Sequence, residues 1–262
     1  MAEYISTFNA ISPFIKRKYI QWYINIKKII ESNMSGVLVL NGSQRSCVDV
    51  YNSDCDLLLI IKNKPDKQQK IKVLNEIYHH ITAHKFDINI VAPIKLITIA
   101  RVPIAKMQII SPKHTLNFDI SVDDSNSPSL FNTSLVSMIH YMWPITIYMY
   151  RIIQFELSCI FDKKILPSCH LINLINIFYG NSQITDPAVF KDQFYYWLLS
   201  LRGQTINTLG VIYDSDVKDK DIVIVYDMCA NMNYYISKES LDNIMISAQY
   251  SINTLECILR LI

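Results

Sequence analysis

Three aspartates carry the chemistry most readily named from this sequence. Asp54 and Asp56 stand at the head of the aliphatic run Leu57 to Ile61, and ten residues separate Asp54 from the pair Gly42-Ser43. In a strand, residues i and i+2 point to one face. Two ionised carboxylates placed so closely repel, which raises a pKa unless a cation lies between them. Hard Mg²⁺ removes that conflict, because it takes carboxylate oxygens together with the phosphates of a bound nucleotide. Gly42 lets backbone approach a phosphate closely, and the Ser43 hydroxyl can donate a hydrogen bond to it. A third acid, Asp119, lies in Leu116-Asn117-Phe118-Asp119-Ile120-Ser121, where apolar and polar residues alternate and the acid faces away from the apolar side. Three carboxylates suffice to hold two ions in phosphoryl transfer, with Asp119 serving the ion that activates an attacking hydroxyl. Singly, each acid is what a solvated turn or an outward strand position would carry. Their combination with the Gly-Ser turn is what points to a metal site.

The elements that must position these residues are legible from periodicity. Residues 14–31 space Phe14, Ile15, Tyr19, Trp22, Tyr23, Ile26 and Ile30 at threes and fours, predicting an amphipathic helix with Pro13 in its first turn. Val37 to Leu40 reads as a buried strand ending in a turn at Asn41-Gly42-Ser43, and Asp54 to Lys62 as a second strand. A helix is expected over 66–84, then β-rich stretches near 88–100, 103–110 and 115–122. Beyond Asn132 the pattern is long and apolar-periodic. It predicts helices over 134–161, 168–180, 189–201, 204–213 and 238–261, with one strand at 222–226. The fold class expected is α+β, with a mixed sheet and helices at 34–127 and a mostly helical second domain made from 1–33 and 128–262. The first helix goes with the second domain on the argument that it needs a partner face.

Composition excludes several classes. The 262 residues are 50% hydrophobic, enough for one large or two modest cores. Runs such as Leu57–Ile61 and Ile222–Val225 are far shorter than the roughly 20 residues of a membrane span, so no membrane association is expected. The start lacks the charged and apolar regions of a secretory signal, which predicts a cytoplasmic protein. Lys16, Arg17 and Lys18 leave a nuclear or mitochondrial address open. Six cysteines without a C-x-x-C pair argue for reduced thiols and against zinc. A net charge of +2 does not by itself select a nucleic-acid partner. His80 and His84 stand at i, i+4 on a predicted helix, but no third ligand has comparable spacing, and with His79 they are taken as surface or half-buried histidines. No G-x-S-x-G elbow occurs.

Taken together, these motifs resemble the non-canonical poly(A) polymerases and terminal uridylyltransferases of the polymerase-beta-like nucleotidyltransferase superfamily. Gly42-Ser43 and Ser53-Asp54-Cys55-Asp56-Leu57 stand at that family's separation. Ala100 to Lys106 is similar to the strand before its third acid, and Phe118-Asp119-Ile120-Ser121 to that acid's own motif. Asn132-Thr133, Leu166-Pro167-Ser168-Cys169, and Tyr226-Asp227 with Asn231 resemble later blocks. The resemblance implies a nucleotidyltransferase palm and a helical domain with the active site in the cleft between them. It implies Asp54, Asp56 and Asp119 as catalytic acids binding two Mg²⁺ or Mn²⁺ ions, and ATP or UTP as substrate. Gly42, Ser43 and Ser168 would hold triphosphate, Asn132 and Thr133 the ribose, and Asp227 and Asn231 would lie near the base. The reaction implied is template-independent addition of a nucleotide to an RNA 3′ end.

This sequence departs from the family in places. A customary glycine falls at Cys47, and a base-stacking tyrosine at Cys169. Two lysines that neutralise triphosphate fall near Tyr150 and Gln154, leaving Arg151 as the nearby cation. Ala230 stands where uridylyl-transferring relatives often carry histidine, which favours AMP over UMP. With no separate RNA-binding domain visible, a protein partner is expected to supply RNA grip. The alternative function is a catalytically weak or inactive subunit that scaffolds or regulates an RNA-processing complex. A nucleotidyltransferase with a protein or small-molecule acceptor is a further alternative.

Overall fold

In a computed structural model, residues 13–46, 53–87, 90–161, 165–214, 220–228 and 231–246 are described. Cys47, Ala230 and the part of the expected terminal helix beyond 246 lie outside them. The chain divides into two compact units, Ala10–Ser137 and a second built mainly from Met138–Ile262.

The first unit opens with helix α1 (Pro13–Asn33). Tyr19, Ile26 and Ile30 recur at helical spacing on one face, and all three are buried. After it come β1 (Val37–Leu40), a short helix α2 (Gly42–Ser46), β2 (Cys55–Ile60), helix α3 (Lys67–Ala83), β3 (Ile94–Ile97), β4 (Ile104–Ser111) and β5 (His114–Asp123). The expected turn after β1 is thus the start of a five-residue helix. Helix α3 begins in a capping box: Asp66 accepts from the Gln69 backbone, and the Gln69 side chain accepts from the Asp66 backbone.

The five strands form one sheet in the order β1-β2-β5-β4-β3. β2 runs parallel to β5, and the other neighbours are antiparallel. Strand β5 alternates as expected, with Leu116, Phe118, Ile120 and Val122 buried. These side chains join Tyr19, Ile26 and Ile30 of α1 and Leu74, Ile77 and Ile81 of α3 in a single core. Helix α1 therefore belongs with the sheet, contrary to its expected place in the second domain. The physical reason is that one sheet face presents more aliphatic surface than α3 alone can cover, and α1 supplies the second cover.

Helix α4 (Pro128–Met142) follows, and the boundary between units falls within it. The continuous helix expected over 134–161 is broken at Trp143-Pro144, where proline removes a backbone donor, and resumes as α5 (Ile145–Ile160). The second unit then contains α6 (Ser168–Ser182), α7 (Pro187–Ser200) and a helix over 238–246.

A helix over 204–213 is not found. That stretch folds as β6 (Gln204–Asn207) and β7 (Ile212–Asp214). Gly203, just before β6, and Gly210, in the turn between β6 and β7, have φ +74° and +87°, values that stop a helix. The Asn207 side chain accepts from the backbone of Leu209 at 2.9 Å and Val211 at 3.0 Å, which fixes the intervening turn. With β8 (Val223–Asp227) and β9 (Met232–Ile236) these form a four-stranded sheet in the order β7-β6-β8-β9. Four strands therefore stand where one was expected. Among the described residues, no helix is long and apolar enough to cross a membrane.

Candidate active site

Pairing of β2 with β5 brings the acids together. In the parallel register Asp56 stands opposite Asp119, and Asp54 lies immediately before β2. All three thus project from the sheet face opposite the α1–α3 core. In the β4–β5 hairpin Lys106 stands opposite Asp119. Its ammonium lies 3.2 Å from Asp119 Oδ2 and 3.6 Å from Asp54 Oδ2. Burial pushes the Asp119 carboxyl above the usual carboxylate range, with Lys106 opposing that shift and Asp54 adding to it. Burial works to lower Lys106, but hydrogen bonding to Asp119 and the two carboxylate charges outweigh it and leave the lysine raised. Each group favours the charged form of the other, and for Asp119 burial outweighs that help.

The Gly42-Ser43 loop is fastened against the same strand. Asn41 donates its backbone N–H to the Asp56 carbonyl at 2.9 Å. Gly42 has φ +57°. A methyl group placed on it would fall 2.1 Å from Asp56 Oδ2, so only glycine lets the loop lie this close to the carboxylate. Thr133 on α4 clamps the loop from the other side. Its hydroxyl accepts from Gly42 N at 3.1 Å and donates to Asn41 Oδ1 at 2.9 Å. Asn41 Nδ2 in turn donates to Ser129 Oγ at 2.5 Å. Asn132, next to Thr133, is buried, and its Oδ1 has no hydrogen-bond partner among the described residues.

Tyr19 of α1 links the core to this site. Its hydroxyl donates to the Ser53 carbonyl at 3.4 Å and accepts from Asn117 N at 3.3 Å. It therefore ties the residue before Asp54 to β5 two positions before Asp119, while its ring packs edge-on against Phe118.

The four remaining sequence-predicted residues lie in the second unit. Ser168 begins α6 and hydrogen-bonds Tyr150 of α5, whose phenol burial pushes up to about 12. Arg151 follows Tyr150 on the same helix and is half-buried. Asp227 ends β8, buried, with its Oδ2 3.5 Å from His170 Nε2. Burial lowers His170 despite that neighbour. The His170 ring lies 4.2 Å from that of Tyr234. Asn231 adopts φ +50° between β8 and β9 and accepts from the Tyr226 hydroxyl at 2.7 Å.

Sequence reasoning assigned no role to Lys106, Tyr19 or His170. Lys106 was recoverable: a two-residue turn at Pro112-Lys113 sets the hairpin register that places position 106 opposite 119. Tyr19 and His170 had no such signal, because their partners are set by tertiary packing.

The carboxylates suit a hard divalent ion in donor chemistry. Asp54 and Asp119 already share one positive charge, the Lys106 ammonium. Among the described residues, however, no group of three or more His, Cys, Asp or Glu side chains converges as a ready metal site. The aspartates offer a face of donors rather than a closed cage, and Mg²⁺ commonly completes such a shell with substrate phosphates and water.

Residues 13–141 match the family described as poly(A) RNA polymerase, mitochondrial-like, central palm domain. Curated protein sequences give no significant match. Among solved structures, mtPAP in complex with GTP is similar at TM-score 0.73 and 11% identity, over 95% of this chain and 66% of that one. The GLD-2/RNP-8 complex is similar at TM-score 0.68 and 16% identity, over 85% of this chain and 82% of that one. A cytoplasmic RNA terminal U-transferase is similar at TM-score 0.53 and 16% identity, over 68% and 51% of the two chains. The chain thus spans 66% of the mtPAP chain, and at these identities the likeness is one of fold. Residues 13–141 are thus similar to the central palm domain of the mitochondrial-like poly(A) RNA polymerases.

Proposed function

We propose that the chain is a template-independent RNA 3′-terminal nucleotidyltransferase that adds AMP, with UMP as the less favoured alternative. The observation that carries this reading is Asp56 in register with Asp119, with Asp54 on the same face and Gly42 packed against Asp56. That arrangement sets a phosphate-approach loop beside carboxylates on a rigid sheet. The RNA 3′-oxygen attacks the α-phosphorus, a new phosphodiester bond forms, and the bond to the bridging oxygen breaks to release pyrophosphate. Two divalent ions on Asp54, Asp56 and Asp119 would neutralise the phosphates and favour the ionised hydroxyl. Gly42 and Ser43 receive the triphosphate, Thr133 holds their loop, and Asn132 offers a buried carbonyl oxygen for a ribose hydroxyl. Ser168 and Arg151 are assigned to triphosphate, and Asp227 and Asn231 to the base. The preference for adenine rests on Ala230.

GLD-2 is known in complexes with RNP-8 and with GLD-3, which supports a protein partner for this chain, to which we assign RNA grip. One observation favours the second reading, an inactive scaffold: Tyr150, near where a triphosphate-binding lysine is expected, is buried and uncharged. Extension of a labelled oligoadenylate with each of the four nucleotides, in Mg²⁺ or Mn²⁺, separates the two. The enzyme reading expects ATP to be the best substrate; well-folded protein that extends with no nucleotide supports the scaffold.

A further inference from the structure

The acid-bearing sheet face continues past the aspartates. Four charged residues on neighbouring strands stand in one cross-strand row: Asp56 on β2, Asp119 on β5, Lys106 on β4 and Lys95 on β3. Residues directly opposite in register project to the same face, so the row reads negative, negative, positive, positive. Lys106 is occupied by the two aspartates on its inner side. Lys95 is exposed and has no ion-pair partner among the described residues. Two like charges directly opposite on adjacent strands destabilise a sheet. The placement is thus a local cost that an anion lying over the pair would relieve.

The side on which this pair stands identifies the anion. The Gly42 loop packs against Asp56, at the β1 side of the acids, so the triphosphate and leaving pyrophosphate belong there. In-line displacement puts attacking and leaving oxygens on opposite sides of the phosphorus. The acceptor strand therefore comes from the β4–β3 side. Strands lie roughly 4.8 Å apart, which places Lys95 about 10 Å from Asp119. The flanking Gln108–Asn117 side-chain hydrogen bond of 3.0 Å leaves the adjoining surface polar but uncharged.

We infer that Lys95, with Lys106 behind it, forms an acceptor subsite that binds a backbone phosphate of the RNA strand near its 3′ end. The inference rests on the nucleotidyltransferase reading for its geometry. Lys95 is a binding residue that aligns the strand, while Asp119 faces the reacting hydroxyl.

The test is binding of a 5′-fluorescent oligoadenylate at low ionic strength to wild type, Lys95→Ala, Lys95→Glu and Lys95→Arg, each checked for folding by its melting temperature. Mg-ATP binding and oligonucleotide extension are measured in parallel. The expected result is RNA affinity weakened on the order of tenfold in Lys95→Ala. The slope of log affinity against log salt should fall by about 0.7, one phosphate contact on a single strand. Lys95→Glu should be weaker still, Lys95→Arg near wild type, and Mg-ATP affinity unchanged in all. RNA affinity and salt slope equal to wild type in Lys95→Glu, or no RNA binding by wild type, would overturn the inference. Loss of Mg-ATP affinity in Lys95→Ala would overturn it too, by assigning the lysine to triphosphate. Extension by wild type with Lys95-independent RNA binding sinks only the subsite; Lys95-dependent binding without extension sinks only the catalytic reading.

Discussion

Gly42 is held against the Asp56 carboxylate by steric fit and by a positive φ, so the loop and the acid constrain each other. Gly42→Ala adds a methyl group into that contact and a residue that resists the left-handed region, a strain of about 1–2 kcal/mol before the clash is counted. Extension should fall far more than stability does. Equal activity in Gly42→Ala, with its urea midpoint unchanged, would contradict the close packing. His170 makes a pH-dependent prediction. Burial holds it below its ordinary value of 6.5, so the unfolded chain takes up a proton more readily than the folded one. Its contribution to stability is therefore present above about pH 6.5 and is lost as pH falls below that value. His170→Gln should flatten the decline of the urea midpoint between pH 7 and 5. An unchanged decline would show that His170 does not titrate in this manner. At this scale the sequence was informative where chemistry demands a fixed spacing, as at Asp54, Asp56 and Gly42. It was silent on His170, whose partner Asp227 is 57 positions away, a separation that only the fold closes.

Among the elements, α1 departs most from expectation. Its amphipathic periodicity was plain, but periodicity names a buried face without naming what covers it. The core shows Ile26 and Ile30 packed with the strands of the first unit. Ile30→Ala should accordingly destabilise the palm by about 2–5 kcal/mol, the range for a fully buried aliphatic side chain. Tyr19→Phe should cost about 1 kcal/mol for each hydrogen bond lost. It should also lower extension, because the hydroxyl ties Ser53, next to Asp54, to Asn117 of β5. Urea unfolding followed by near-ultraviolet signals of the palm checks both, and a palm indifferent to Ile30→Ala would return α1 to the second unit. The strands of the first sheet were legible because apolar and polar residues alternate along β4 and β5. In the second sheet only β8, expected at 222–226, was legible. The Thr205–Ile212 stretch carries aliphatic residues at spacings that also suit a helix, and only Gly203 before it and Gly210 within it argue otherwise.

For the whole molecule, a net charge of +2 supplies little long-range attraction for RNA, so binding by the chain alone is expected to be weak and to show best at low ionic strength. On the proposed function, a partner that raises the local RNA concentration should increase extension by the chain. Binding of Mg-ATP to the folded chain should raise its melting temperature, since a ligand that binds only the native state stabilises it by mass action. That much would hold for a nucleotide-binding scaffold as well. The decisive measurement is extension of labelled oligoadenylate by wild type beside the double variant Asp54→Ala/Asp56→Ala, both shown to be folded. We expect Mg²⁺-dependent extension by wild type and a loss of at least about a thousandfold in the variant. Extension that survives removal of both carboxylates would contradict the assignment of catalysis to this face of the palm.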